Sequence, residues 1–415
     1  MDSKIYLTQK IPTVFNDDGT GKIYPDGHMN DVQYWGNFPR EKLHEILPDG
    51  TPRLRMLDID VGDKCSLACP HCFRRDPRID VVNDNALTLG QIIDYIKEAK
   101  DLGLESLKIL GRGEPFENKE FLTFLRKMTE LDIGVAAFTK GHVLGSDELA
   151  RHFNPDLKNA QELVAELKKL KFSALLGFNT FNDTLQTQMV GTDKLKDSHL
   201  LGNFPKLRNN ALVNLADAGF NEYKDGEATR LCVMTAPFTP ETIDEVFDIY
   251  RFMNERNIHT VVCPTTQSGK GLDTLNRQKE NYDFDKYMKR VQQVYADIYK
   301  YAIKSNLIPL EKFKQEGVSL YAGARPCNQV AAGMYLNLSG QVVQCPGRFD
   351  EETIITKDIR KSTLKDVWSS SPNAKRAKDP NGFNYRCVAR DGHSLPKDFY
   401  SNIEELVLNH FEKNN

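Results

Sequence analysis

Residues 54–75 read LRMLDIDVGDKCSLACPHCFRR, an apolar strand-like run that leads into a loop with three cysteines. Cys65, Cys69 and Cys72 stand as C-x3-C-x2-C, although the whole chain holds only eight cysteines. In a reducing compartment, clustered cysteines are more often metal ligands or catalysts than disulfides. The spacing therefore predicts a metal or cluster site directly after a strand.

Length and composition narrow the class of protein. The chain has 415 residues, of which 40% are hydrophobic and 27% charged, with a formal net charge of −3. This balance is typical of a globular protein and argues against a nucleic-acid partner, which would favour a basic surplus. No apolar run approaches ~18 residues, so no membrane association is expected. The first residues, MDSKIYLTQK, lack the apolar segment of a secretion signal, which favours a cytoplasmic location.

Strand-like and helix-like patterns alternate along the middle of the chain. The strand-like runs cover residues 54–61, 106–110, 133–139, 173–179, 230–236 and 259–264. Such alternation predicts a parallel sheet with right-handed crossovers. Six units are too few to close an eight-stranded barrel. The predicted fold class is therefore α/β, a partial (βα)6 TIM-like barrel whose chemistry lies at the C-terminal ends of its strands.

Two local signals predict where helices begin. Thr88 and Gln91 form a capping box for a helix that runs to about Asp101. Thr239 is a favourable N-cap, with Pro240 at the first helical position. Both helices would follow strands of the predicted barrel.

A second set of cysteines surrounds a predicted hairpin. The run MYLNLSGQVVQC at 334–345 alternates in hydrophobicity and has its turn near Ser339 and Gly340. Cys327 precedes this hairpin, Cys345 ends it, and Cys387 follows later. A hairpin brings its flanking thiols together, so these cysteines are candidates for one metal centre, part of a C-terminal hairpin-plus-helix module.

Three explanations compete for the first cysteine loop. Structural zinc usually takes four protein ligands, and His71 lies in the tight turn between Cys69 and Cys72, from which it cannot easily reach the same ion. Inert buried thiols do not suit a loop as polar as this one. A four-iron cluster bound by three thiolates leaves one iron open, which suits the number of cysteines. The residues alone favour the cluster and leave zinc as the alternative.

The segment CSLACPHC resembles the cysteine motif that defines the radical SAM superfamily. The resemblance implies that a [4Fe-4S] cluster on Cys65, Cys69 and Cys72 binds S-adenosylmethionine (SAM) through its open iron. Reductive cleavage of SAM then yields methionine and a 5′-deoxyadenosyl radical, which abstracts a substrate hydrogen atom. The cofactor performs the chemistry and the protein positions it.

Three further segments resemble SAM-contacting parts of that superfamily. In LKILGRGEPF, Gly113 and Glu114 match a Gly-Gly-Glu-Pro turn that contacts the SAM amino group, although Arg112 replaces the first glycine. By the same resemblance His71 lies near the adenine. Asn179 occupies a position that often contacts the ribose, and equally suits an asparagine that shapes a strand-to-helix turn.

The spacing C-x12-G-x4-C, followed by a later cysteine, resembles the SPASM and twitch modules that follow radical SAM barrels. The resemblance implies an auxiliary iron-sulfur cluster with three ligands here: Cys327, Cys345 and Cys387. A twitch module ends in C-x2-C, but this chain has Arg390 in place of the last cysteine. Ligation by Asp391 or His393, ligation by Arg390, and an iron open to substrate all stay possible, as do zinc-bound or metal-free thiols.

The remaining cysteines, Cys232 and Cys263, lie within or at the end of predicted strands, where most cysteines are small buried hydrophobes. Cys263 is closer to the strand end. A thiol there could return a hydrogen atom to a substrate radical, as in radical SAM epimerases.

Five segments are expected. They are an N-terminal extension (1–51), the partial barrel (52–275), connecting helices (276–317), the auxiliary cluster module (318–395) and a C-terminal helix (396–415).

The favoured function is a radical SAM enzyme that oxidises or epimerises a small molecule, assisted by the auxiliary cluster. A flavodoxin-type or ferredoxin-type protein is the electron donor that the resemblance implies. One alternative is a radical SAM maturase that modifies a peptide or protein. Another is a non-enzymatic, zinc-stabilised binding protein.

Overall fold

A computed structural model gives the fold of the chain. It describes residues 7, 14–15, 21–22, 38, 42–74, 85–194, 203–224, 227–265, 268–324, 327–379, 387, 390 and 394–413. A short antiparallel pair, β1 (Val14–Phe15) and β2 (Gly21–Lys22), lies apart from the main sheet.

The six predicted strands all form. They are β3 (Met56–Ile59), β4 (Ser106–Ile109), β5 (Gly134–Thr139), β6 (Phe172–Gly177), β7 (Leu231–Thr235) and β8 (His259–Val262). Each pairs in parallel with the next in chain order, and among the described strands β8 pairs with β7 alone. The predicted α/β class, with an open parallel sheet, is confirmed.

Helices cover one face of this sheet. Seven accompany the strands: α1 (Leu89–Asp101), α2 (Phe121–Glu130), α3 (Asp147–Phe153), α4 (Ala160–Lys168), α5 (Asp183–Val190), α6 (Phe204–Asp217) and α7 (Val246–Asn254). Side chains alternate across each strand. As a result one set of apolar residues packs under the helices, while a separate cluster (Ala136, Leu175, Cys232 and Val261) forms on the opposite face.

The two helix-start signals differ in outcome. Thr88 caps α1 as predicted, because its hydroxyl accepts from the Gln91 amide (3.2 Å) and the Gln91 side chain accepts from the Thr88 amide (2.9 Å). At Thr239 a first turn does form: the Thr239 amide donates to the Thr242 hydroxyl (2.9 Å), and the Thr239 carbonyl accepts from the Ile243 amide (2.9 Å). The segment then continues as a 3₁₀ helix (Ile243–Glu245), so regular α-helix begins only at Val246, later than predicted.

The hairpin forms and extends the barrel sheet. Strand β9 (Gly333–Leu336) pairs antiparallel with β10 (Val342–Val343), and β11 (Ile354–Thr356) pairs antiparallel with β10. Strand β9 also pairs in parallel with β3 of the barrel. Gly333 permits this pairing, since a Cβ there would lie 1.9 Å from the Met56 carbonyl oxygen. The segment boundaries stay a prediction, and one sheet runs through both barrel and hairpin.

Seven further helices follow β8 among the described residues. They are α8 (Lys270–Asn281), α9 (Phe284–Lys304), α10 (Leu310–Glu316), α11 (Gln329–Ala332), α12 (Leu364–Ser370), α13 (Pro372–Lys378) and α14 (Phe399–Glu412). Tyr295 of α9 packs edge-on against Phe399 of α14, with ring centroids 5.4 Å apart. Across the described part of the chain, no helix has the length and apolarity needed to cross a membrane.

Candidate active site

The first cysteine loop follows β3 and faces an open cavity at the C-terminal ends of the barrel strands. Cys65, Cys69 and Cys72 all line this cavity and are only partly exposed. The loop packs against the end of α5, where the Ala68 amide donates to the Val190 carbonyl (3.1 Å). Gly191 makes this approach possible, since it has φ +72° and a Cβ there would lie 2.3 Å from the Ala68 oxygen.

A buried glutamate anchors the same loop. The Ser66 amide donates to both carboxylate oxygens of Glu117 (3.0 and 2.9 Å), and the Ser66 hydroxyl donates to one of them (3.0 Å). His142 Nε2 lies 2.7 Å from Glu117 Oε1. Burial raises the pKa of Glu117, but the contacts with His142 and Ser66 outweigh burial and lower it overall. An ionised carboxylate therefore holds the backbone between two cysteines.

The turn after β4 packs against the start of the cysteine loop. The Gly113 amide donates to the Gly62 carbonyl (3.2 Å), and the Glu114 amide donates to the Lys64 carbonyl (2.8 Å). A Cβ at Gly113 would lie 2.6 Å from the Lys64 oxygen, so this position requires glycine. Both Gly113 and Glu114 line the cavity.

The end of β5 orients the carboxylate of Glu114. The Thr139 hydroxyl donates to Oε1 (2.6 Å) and the Lys140 amide donates to Oε2 (2.8 Å). Burial raises the pKa of this carboxyl group. Each carboxylate oxygen has two lone pairs, so Glu114 can accept a further hydrogen bond from a ligand amine on the cavity side.

His71 and Asn179 occupy different environments. His71 is buried and lines the cavity, and its Nε2 has no hydrogen-bond partner among the described residues. Burial, together with the nearby charge of Lys140, lowers the pKa of His71 to about 3, so the imidazole is neutral. Asn179 lies behind the cavity wall. Its Nδ2 donates to the carbonyls of Ala236 (3.0 Å) and Pro237 (3.1 Å), so its ribose contact stays a prediction.

The second cysteine set lines the same cavity. Cys327 precedes α11, Cys345 follows β10, and Cys387 belongs to the C-terminal region. The Gly347 amide donates to the Cys345 sulfur at 3.3 Å, and burial raises the pKa of Cys345 to about 12. The two other proposed fourth ligands, Asp391 and His393, lie outside the described residues, whereas Arg390 lies within them and lines the cavity.

The donor set suits iron-sulfur clusters, whose irons are held by cysteine thiolates. None of the eight cysteines, all of which lie among the described residues, forms a disulfide bond, and six of them form two trios that line one cavity. Within the described ranges no three His, Cys, Asp or Glu side chains are arranged to hold a single metal ion. What the two trios share is the cavity that all six thiols line.

The cavity wall is basic. It carries five cationic side chains, whereas Glu114 is the one carboxylic acid among its described residues. The five are Arg74, Lys108, Arg112, Lys140 and Arg390. Lys108 Nζ donates to Gln329 Oε1 (2.7 Å) and lies 3.5 Å from Asp58, so it links the barrel to the region of Cys327.

Sequence reasoning missed Glu117, Lys108 and Lys140. A lysine within the buried strand SLKI was a usable signal, because lysine is rarely fully buried without a partner. Nothing in the sequence pairs Glu117 with Ser66, since that contact arises only when the loops after β3 and β4 meet.

Comparison with known proteins agrees with this site. Residues 59–253 match the family model of the Radical SAM superfamily. GTP 3',8-cyclase of Clostridium perfringens (strain SM101 / Type A) is 25% identical over 165 residues, which cover 39% of this chain and 51% of the relative. This chain thus spans about half the length of that relative. GTP 3',8-cyclase of Sulfurimonas denitrificans is 22% identical over 348 residues, which cover 77% of this chain and 91% of the relative.

Two solved structures share the fold. One is anSMEcpe with bound AdoMet, with a TM-score of 0.54, 13% identity and coverage of 86% of this chain and 97% of that one. The other is Streptococcus suis SuiB bound to precursor peptide SuiA, with a TM-score of 0.50, 18% identity and coverage of 79% and 68%.

The fold and the cysteine-lined cavity agree with the match to the Radical SAM superfamily. The chain carries a Radical SAM superfamily domain over residues 59–253. A [4Fe-4S] cluster and SAM are the cofactors of that family, and the predicted family resemblance is confirmed.

Proposed function

We propose that this protein uses SAM and a [4Fe-4S] cluster on Cys65, Cys69 and Cys72 to abstract a hydrogen atom from an anionic small molecule. When bound, these cofactors supply the 5′-deoxyadenosyl radical that performs the abstraction. The observation that carries the proposal is that both cysteine trios line one cavity. A substrate between them would be within reach of both centres.

We also propose that Cys327, Cys345 and Cys387 hold an auxiliary iron-sulfur cluster. Such a cluster would supply an electron acceptor for oxidation of the substrate. The position of these thiols on the cavity wall, together with the link from Lys108 to Gln329 beside Cys327, supports this role. Oxidation is therefore the favoured outcome, and epimerisation is the alternative.

Several residues shape the part of the cavity in which SAM would bind. Glu117 holds the cysteine loop through Ser66, and Gly113 lets the turn after β4 approach that loop. The carboxylate oxygens of Glu114 are oriented to accept a hydrogen bond from an amino group. His71 is neutral and presents its flat ring to the cavity. These features match the contacts expected for the amino group and adenine of SAM.

Charge supports an anionic substrate. Five cationic side chains and one carboxylic acid line the cavity, and of the five Lys108 is paired with Asp58. The GTP 3',8-cyclases are named for an anionic small molecule, and we extend that chemical class to this chain. The solved SuiB complex contains a peptide, which keeps peptide modification as the alternative to test.

The electron donor and location complete the proposal. A flavodoxin-type or ferredoxin-type protein would reduce the SAM-binding cluster. Eight cysteines without a disulfide bond suit a reducing cytoplasm, in which thiols persist.

The test begins with anaerobic reconstitution and measurement of iron and sulfide per chain. We expect about eight irons in the wild type and about four in a Cys327/Cys345/Cys387→Ala variant. With reductant and SAM, 5′-deoxyadenosine formation should rise with phosphorylated or carboxylated small molecules more than with neutral analogues or cellular peptides. A stronger response to peptides would reject the substrate class, and zinc in place of iron would reject the whole proposal.

A further inference from the structure

A seventh cysteine lines the cavity. Cys263 directly follows β8, is 3% exposed, and lines the same cavity as Cys327, Cys345 and Cys387. Cys232, on the neighbouring strand β7, is fully buried in the apolar cluster and does not line the cavity. The two strand cysteines therefore have different surroundings, although both would pass as core residues in the sequence.

Arg390 lies beside Cys263. The Cys263 sulfur contacts the Pro264 carbonyl oxygen at 3.5 Å, and Arg390 Nη1 donates to that same oxygen at 2.6 Å. The Arg390 amide donates to the Cys387 carbonyl (3.0 Å), so the backbone turn brings residue 390 next to Cys387. Arg390 is 2% exposed, and its buried Nε has no partner among the described residues.

The side chain of Arg390 is poorly suited to ligate iron. A guanidinium has five N–H donors, offers no acceptor, and stays protonated in proteins. It is well suited to donate to a thiolate and to balance its charge in a buried site. Arg390 stands where a twitch module has its last cysteine. Here that residue places a cation beside the backbone that carries Cys263.

We propose that Cys263 supplies the fourth thiolate of the auxiliary cluster and that Arg390 is a positioning residue that donates a hydrogen bond to it. The inference rests on the auxiliary cluster of the proposed function. It assigns a ligand that directly follows the barrel strand β8 to a centre whose other ligands flank the hairpin or follow it. A cluster held by four cysteines has no iron open to substrate, so it would carry electrons while the substrate binds to the cationic wall.

The test uses a background in which Cys65, Cys69 and Cys72 are changed to Ala, so that only the auxiliary cluster can form. Into this background are placed Cys263→Ala, Cys263→Ser, and the matched control Cys232→Ala. Iron and sulfide per chain are measured after reconstitution, and EPR spectra are recorded after reduction and after mild oxidation. Circular dichroism of each variant checks that it folds.

We expect about four irons in the background and in the Cys232→Ala control. In Cys263→Ala we expect about three irons and, after oxidation, the EPR signal of a three-iron cluster. Cys263→Ser keeps an oxygen ligand, so it should retain more iron with a shifted spectrum. Iron content and spectra in folded Cys263→Ala that equal those of the control would overturn the inference.

Arg390→Gln in the same background separates the two roles. We expect it to keep about four irons and to change the reduction potential of the cluster. Loss of iron in Arg390→Gln, with none in Cys263→Ala, would overturn the assignment in favour of Arg390 as the ligand. A background with no iron would instead remove the auxiliary cluster from the proposed function, an outcome distinct from failure of the Cys263 assignment.

Discussion

The two cysteine sets reach the same cavity by different routes. Cys65, Cys69 and Cys72 lie in one loop, anchored by Glu117 and by the turn at Gly113. The second set comes from the start of α11, the end of β10 and the C-terminal region. A short loop holds its own geometry, whereas the second centre depends on how hairpin, barrel and C-terminal region pack. Substitutions within the loop should therefore disrupt the first site. Substitutions that alter the packing between elements should disrupt the second site.

The largest expected effect separates the two sets by activity. Cys72→Ala should abolish SAM cleavage, because it removes a ligand of the only cluster assigned to bind SAM. Cys387→Ala should keep SAM cleavage within about tenfold of wild type, or about 1.4 kcal/mol in activation free energy. The measurement is 5′-deoxyadenosine formed per minute with dithionite. Equal loss in both variants would show that the two centres are not independent.

A glycine pair tests the backbone contact at the first loop. In Gly113→Ala the new Cβ would lie 2.6 Å from the Lys64 oxygen, so the turn and loop must separate. A shift of ~1 Å can cost ~100-fold, and we expect SAM cleavage to fall by that order. Gly111→Ala is the control, since its Cβ would have its nearest contact at 3.8 Å. Equal loss of activity in both variants would show that the close backbone approach at Gly113 is not what SAM cleavage requires.

Glu117→Ala tests the anchor of the first loop. It leaves the Ser66 amide and His142 without their carboxylate, and each unsatisfied buried group costs about 1–3 kcal/mol. We expect a lower free energy of unfolding in urea and less iron on the first loop in a Cys327/Cys345/Cys387→Ala background. Glu166→Ala, at an exposed surface ion pair, is the control and should change little.

Glu117 also predicts a pH dependence. The pKa of Glu117 is lowered in the folded protein, so its stabilising contribution is present above the usual carboxyl pKa of 4.5. That contribution is lost as the pH falls through the lower folded value. Glu117→Gln should therefore lose less stability than the wild type on acidification. Parallel unfolding curves for both proteins from pH 6 downward would contradict this.

The smallest expected effect concerns Asn179. Its amide donates to two carbonyls behind the cavity wall, so Asn179→Ala should lower unfolding free energy by about 1–2 kcal/mol. SAM affinity should change by less than about threefold, or about 0.7 kcal/mol. His71→Ala, which removes a ring from the cavity wall, is the comparison and should weaken SAM binding more. A large loss of SAM affinity in Asn179→Ala would support its predicted ribose contact.

Much of the fold could be predicted because its signals are local. Each barrel strand is a short apolar run between turn signals, and the capping box at Thr88 formed as expected. The helix after β7 shows where prediction from local sequence is less accurate. Thr239 begins a turn as its sequence suggests, but the chain continues as a 3₁₀ helix (Ile243–Glu245) before regular α-helix begins at Val246. Whether a first turn is α or 3₁₀ is hard to read from the sequence alone.

The sequence by itself determined the parallel α/β fold and the three-thiol loop, because strand periodicity and a C-x3-C-x2-C spacing act over only a few residues. Tertiary structure decided the rest. It joined β9 to β3, brought Glu117 to Ser66, and brought Cys263 and Arg390 to one carbonyl oxygen. Those partners lie tens or hundreds of residues apart. Their meeting depends on the packing of whole elements, which local pattern does not encode.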